Sequence, residues 1–270
     1  MKEMTLTDIQ SVSLEILKEF HRFCVANGLR YSLAYGTLIG AVRHKGFIPW
    51  DDDVDVVMPR PDYQKFICLY NDNENYACFA PEKINCFLAY ARLADMKRTK
   101  VSSPAVWANK ETGVWIDIMP LDGVEDQEEQ FLFTVKKTRK LWMKVYYSRT
   151  AYSGLGCCHD FVTLMKYIVK KLFYNNIYKY LYQHLEILHR FDYEKCAHIS
   201  NMSHLLYTKR CHFSKNIFSN VEKMTFENND FYVMNGWETF LRDIYGDYMQ
   251  LPPKDQQKVG HSMHKYFWNE

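Results

Sequence analysis

Trp50-Asp51-Asp52-Asp53-Val54-Asp55-Val56-Val57-Met58-Pro59 is the stretch on which the fold turns. The β-branched run from Val54 to Met58, ended by Pro59, predicts a strand. Side chains two apart on a strand share a face, so Asp53 and Asp55 project together, about 6–7 Å apart along the chain, with Asp51 at the strand entrance. Like charges held this way repel, and a folded site needs a counter-cation to keep them. Mg²⁺ or Mn²⁺ suits such a site because both take hard oxygen ligands and can share their coordination with substrate phosphates.

Plainer readings compete. Acid-rich runs are often solvated turns, and Pro49 is close by. Asp51, Asp53 and Asp55 also sit at the alternate positions of a calcium loop. That reading fails at the sixth position, which is Val56 instead of Gly, and at the twelfth, which is Asp62 instead of Glu.

Working upstream, Tyr31 to Tyr35 reads as a short strand that runs into Gly36-Thr37, followed by a helical turn from Leu38 to Arg43. A strand, a glycine and a helix N-terminus in that order aim backbone N–H groups at an anion. The first element is an amphipathic helix, with capping-box spacing at Thr7 to Gln10 and a stop at Asn27-Gly28. Downstream, Pro61 to Tyr70 has helical periodicity and Phe87 to Leu93 is a further strand. Val114 to Met119 is a clearer strand, closed by Pro120 and Asp122-Gly123. Within it, Asp117 stands between Ile116 and Ile118, an unlikely setting for an acid without a task. If the two strands are neighbours, Asp53, Asp55 and Asp117 form one cradle beside Gly36-Thr37.

Asp126 to Leu188 is mainly helical, broken near Ser153-Gly154-Leu155-Gly156. Phe231 to Val233 is a last strand, and Glu238 to Ile244 a short helix stopped at Gly246. The expected class is therefore α+β: a mixed-sheet core over 1–125, a helical lobe over 126–225, and a segment over 226–270 that packs back on the core, or all three as one continuous domain.

Of the 270 residues 47% are hydrophobic and 24% charged, which excludes wholesale disorder. The net charge of +2 provides no general field for nucleic acid, and no nucleic-acid partner is expected. The distribution is uneven, however, with ten Lys and Arg between Phe131 and Leu185 against the single acid Asp160. That stretch fits either a contact with an anionic membrane surface or a solvated helical face. The N-terminus is too polar for a secretory signal and no apolar run approaches about 20 residues. The expected location is cytoplasmic, with at most peripheral contact on the inner face of the membrane. The eight cysteines are scattered and read as free buried thiols. Cys196, His198, Cys211 and His212 do not have the spacing of a zinc site.

The run from Tyr35 to Asp55, continuing through Met58-Pro59-Arg60 to Asp62-Tyr63, closely resembles the hallmark of the LicD family, which includes bacterial phosphocholine transferases and is related to the fukutin group. Two further blocks agree: Trp115 to Gly123, and Tyr245 to Pro253 with His261 beyond it. The resemblance implies a nucleotidyltransferase-like fold, in which a Gly-Thr turn (Gly36, Thr37), an alternating acid pair (Asp53, Asp55) and a third acid on the next strand (Asp117) form the site. It departs at Met119, where Phe is expected, and at Lys258, where Arg is common. The implied activity is transfer of phosphocholine or a similar phosphoryl group from a CDP-linked donor such as CDP-choline to a glycan hydroxyl, with release of CMP; the glycan is expected to be lipid-linked. In that reading Asp53 and Asp55 hold the metal, Asp117 supports the metal or orients the acceptor hydroxyl, Asp51 ties down the strand entrance or a metal-bound water, and Arg43, His44 or Lys45 meets the leaving phosphate. Tyr35, Trp50, Trp107 and Trp115 are the aromatic candidates for holding a quaternary ammonium. Two alternatives stay open: a nucleotidyltransferase that releases pyrophosphate, and a glycan-binding protein without turnover.

Overall fold

The computed structural model describes residues 1–104, 106–149, 161–174, 176–203, 210–258, 260 and 264–269. Helix α1 (Leu6–Ala26) starts two residues earlier than the spacing suggested. Its capping box is Thr5 with Asp8: the Asp8 N–H donates to Thr5 Oγ1 at 3.2 Å and the Thr5 N–H to Asp8 Oδ2 at 2.8 Å. It ends as expected at Asn27, followed by Gly28 with φ +62°. Strand β1 (Ser32–Leu33) is short because α2 (Tyr35–Arg43) begins at once, which puts Gly36 and Thr37 inside the helix's first turn. Strand β2 (Asp55–Pro59) leads into α3 (Arg60–Leu69), and β3 (Tyr76–Phe79), β4 (Ala91–Asp95), β5 (Thr99–Ser102) and β6 (Trp115–Val124) follow.

One sheet of mixed direction organises the core, in the order β1-β2-β6-β4-β3. Strand β2 lies parallel to β6, while β1 and β4 join antiparallel on the flanks. The protein is α+β, as expected. Helix α1 packs on β4 and β6, and α3 on β2 and β6. Phe20 and Phe23 of α1 meet Phe66 of α3 edge-on, with ring centroids 5.1 and 5.6 Å apart. A buried ion pair fixes α3 to the far end of β6: Arg60 Nη2 donates to Asp122 Oδ2 at 2.9 Å. Strand β6 runs straight through Pro120, past its expected end. The β4 ladder stops at Ile118 and β7 (His198–Ser200) begins pairing at Asp122, so neither ladder needs the N–H that Pro120 lacks.

The expected domain boundaries are not those of the fold. Strands β7 and β8 (Phe213–Ser214), both from the 126–225 stretch, extend the central sheet. The boundary at 225/226 would cut a hairpin of β9 (Val221–Phe226) and β10 (Asn229–Met234). The helical lobe proper is α4 (Glu128–Arg149), α5 (Phe161–Phe173) and α6 (Ile177–Leu188). Helix α7 (Trp237–Tyr245) stops at Gly246, φ +73°, and β11 (Lys265–Trp268) pairs with β5. Ser153 to Gly156, Cys157-Cys158 and His261 lie outside the described residues. Among those described, no helix is long and apolar enough to cross a membrane. The six described cysteines are free, but Cys68 is exposed and Cys196 half-buried, so burial is not general.

Candidate active site

The parallel register of β2 on β6 sets Asp55 directly opposite Asp117, so their side chains rise from the same face of the sheet. Asp53 lies two residues before Asp55, and the Asp117 N–H reaches back to the Val54 carbonyl at 2.9 Å, fixing the segment between the two acids. Asp51, Asp53, Asp55 and Asp117 all line one cavity of about 640 Å³, with Gly36, Arg43 and Lys258. The sequence expected the three acids of the cradle to converge, and they do. The carboxylate oxygens of Asp51, Asp52 and Asp53 also lie within 4.8 Å of one another, which adds Asp52, buried at the strand entrance, to the acidic group.

Burial pushes the Asp55 carboxyl well above the usual carboxylate range, and Asp53, Asp117 and Asp51 push it further in the same direction; Arg92 only partly opposes them. This is the electrostatic signature of a donor set short of positive charge. Among the described residues, the carboxylates close enough together to share one cation are those of Asp51, Asp52 and Asp53, and hard oxygens of this kind suit a divalent ion such as Mg²⁺ or Mn²⁺.

Gly36 and Thr37 position this group in different ways. A Cβ on Gly36 would stand 2.5 Å from Asp51 Oδ2, so the missing side chain is what lets the carboxylate lie against the first turn of α2. Gly36→Ala is accordingly expected to lower activity at least about tenfold while shifting folding stability by less than about 1 kcal/mol, because only the end of the Asp51 side chain has to move. Steady-state kinetics beside a urea titration checks this; full activity would separate Asp51 from the reaction. Thr37 has a structural task. It is buried, does not line the cavity, and its Oγ1 accepts the Asp55 N–H at 2.9 Å, holding the first residue of β2.

The three expected cations separate. Arg43 reaches the cavity wall, but its Nη1 donates to the carbonyls of Tyr248 at 3.0 Å and Gln250 at 3.3 Å, tying down the segment that follows α7. Its Nε donates to His44 Nε2 at 2.9 Å. Burial and the Arg43 charge draw the His44 pKa below its ordinary value, so at neutral pH His44 is an acceptor and carries no charge. Lys45, at φ +61°, does not line the cavity, and its carbonyl accepts the Glu227 N–H at 2.9 Å. Lys258, the site of a departure from the family pattern, does line the cavity.

Arg92 is the residue the sequence reading missed. It stands opposite Asp117 on β4, with Nε 2.6 Å from Asp117 Oδ1 and Nη2 3.3 Å from Oδ2. Its guanidinium packs over a pair of touching indoles, 4.5 Å from the Trp107 ring centroid and 4.2 Å from that of Trp115. Two of the four aromatics expected to hold a ligand cation are therefore engaged by the protein's own arginine. Tyr35 and Trp50 do line the cavity, joined by Tyr245 and Tyr248. The clue to Arg92 was a lone cation inside the apolar run Tyr90-Ala91-Arg92-Leu93-Ala94.

An acid pair in register on parallel strands, a third acid beside it and a glycine-opened helix start make up the nucleotidyltransferase type of site. The model of the family described as LicD/FKTN/FKRP, nucleotidyltransferase domain, matches residues 28–153. The chain is 33% identical to the lipopolysaccharide cholinephosphotransferase LicD of Haemophilus influenzae over 98% of its own length and 99% of that protein's. It is also 36% identical over 63 residues to an uncharacterised protein of Rickettsia typhi, covering 23% of this chain and 20% of that one. The chain belongs to the LicD family.

Proposed function

We propose that the protein transfers a phosphocholine-type group from a CDP-linked donor to a hydroxyl of a cell-surface glycan, releasing CMP at the cytoplasmic side of the membrane. The observation that carries this reading is the meeting of Asp53, Asp55 and Asp117 on one cavity wall, in a chain alike from end to end to a lipopolysaccharide cholinephosphotransferase. Asp53, Asp55 and Asp117 would hold a divalent cation, Mg²⁺ or Mn²⁺. Bound there, it would offset charge on the donor diphosphate and on the leaving nucleotide.

The chain's own residues do the rest. Asp51, seated against Gly36, fixes the entrance of β2, and Arg92 holds the Asp117 carboxylate in one orientation through its paired nitrogens. A cavity of about 640 Å³ matches a nucleotide-sized ligand. Tyr35, Trp50, Tyr245 and Tyr248 provide aromatic faces for a quaternary ammonium, and Lys258 a cation for phosphate.

The test is product analysis. Purified protein with Mg²⁺ and a panel of CDP-linked donors is expected to release CMP from one of them, and no pyrophosphate from CTP. Pyrophosphate from CTP would favour a nucleotidyltransferase, while donor binding without any product would favour a glycan-binding protein.

A further inference from the structure

Helix α5 is built inside out. Met165, Ile168, Val169, Leu172 and Phe173 recur at the spacing of one helical stripe, and that stripe faces solvent: Leu172 is 71% exposed and Phe173 73%. Lys170 and Lys171 reach back to α4. Lys170 Nζ lies 4.1 Å from the Tyr147 ring centroid and donates to the Tyr147 hydroxyl at 2.8 Å, while Lys171 Nζ donates to the Ser148 carbonyl at 2.6 Å, at the C-terminal end of α4. A helix that half-buries two lysines against its neighbour and exposes a leucine-phenylalanine stripe departs from the arrangement water favours.

Charge identifies what covers the stripe. From Glu128 to Leu188, the span of α4, α5 and α6, there are ten Lys and Arg against four acids, Glu128, Glu129, Asp160 and Glu186, and Lys136, Lys137 and Lys140 of α4 are exposed. A second copy laid lobe against lobe would set this net positive region against its like. An anionic lipid surface satisfies both features, with hydrocarbon for the stripe and lipid phosphates for the lysines. At 13 residues, α5 spans roughly 20 Å, short of the ~30 Å hydrocarbon core, so it lies in the plane of the interface.

We infer that α5 is a membrane-docking helix that inserts its Met165–Phe173 stripe into an anionic bilayer surface. None of the stripe residues lines the cavity. Docking extends the proposed function only in bringing the site to the layer where a lipid-borne glycan lies.

The experiment is co-sedimentation of the full chain with vesicles of phosphatidylcholine alone or with about 30% phosphatidylglycerol, at low and high salt. The wild-type chain is expected to pellet with the anionic vesicles, and less at high salt. The double substitution Leu172→Ser, Phe173→Ser, which alters only exposed side chains, is expected to weaken that binding at least about tenfold. Its CMP release with a soluble acceptor should stay at the wild-type level, so docking and the cavity reaction fail or succeed independently. No binding above that to neutral vesicles, or equal binding by the double variant, overturns the inference. So does a wild-type dimer in sedimentation velocity that the double variant abolishes, because the stripe would then be covered by a second copy.

Discussion

Asp55→Asn is expected to lower turnover at least about a thousandfold while raising the melting temperature of the cation-free protein. The substitution keeps the shape of the side chain, and the backbone N–H that Thr37 accepts is untouched, so β2 retains its anchor. What disappears is a negative charge buried beside Asp53, Asp117 and Asp51. Because the fold raises this carboxyl above its unfolded value, the stability it contributes is fully present below about pH 4, the ordinary aspartate range. That stability is lost as pH rises through the folded value. Without divalent cation, the wild-type chain should therefore become less stable as pH rises from the ordinary aspartate range through the raised folded value, and Asp55→Asn should flatten that decline. Added Mg²⁺ should stabilise the wild-type chain far more than the variant. Thermal melts across pH, with and without Mg²⁺, beside donor turnover, measure all of this. Near-normal turnover in Asp55→Asn, or in its neighbour Asp53→Asn, would defeat the assignment of these carboxylates.

Arg92→Met is expected to cost about 3–5 kcal/mol of folding stability, the usual penalty for removing one partner of a buried ion pair. The loss has two sources. Asp117 loses its paired donors, and the Trp107 and Trp115 rings lose the guanidinium packed over them. Arg92→Lys should fall in between, since an ammonium keeps the charge but has neither the fork nor the flat surface for stacking. Asp117→Asn introduced into the Arg92→Met background should recover part of the stability, because the orphaned charge is then gone. Urea denaturation reads each step as a shift in midpoint at unchanged slope. A cost below about 1 kcal/mol for Arg92→Met would mean that Asp117 is solvated well enough without it.

The parts of this fold that could be read from sequence were those carried by short-range pattern. The valines after Asp53 marked β2, and the apolar run around Asp117 marked β6, because β-branched and aromatic residues on a buried sheet have few other uses. The alternation of Asp53 and Asp55 was enough to predict a shared face. Long-range partners left no such trace. Nothing near Arg92 in the chain names Asp117, and nothing near Arg43 names the carbonyls of Tyr248 and Gln250, so one was missed and the other was expected to serve phosphate. Strand β9, with its charged and exposed Glu222 and Lys223, has a polar pattern that reads as a loop until β10 pairs with it. The orientation of α5 was equally hidden, since periodicity shows that a helix has an apolar stripe and not which way the stripe points.

Strands β2 and β6 run side by side in the same direction, and this decides when the acids first feel one another. A tight hairpin cannot join parallel neighbours; the chain must travel roughly sixty residues between Asp55 and Asp117, through α3 and the β3–β4 ladder, before the two can meet. In the nascent chain the two carboxylates are separately hydrated, and their repulsion is deferred to a closure step at which the hydrophobic faces of both strands are also buried. The molecule thus draws on the free energy of core formation to force together charges that local folding would keep apart.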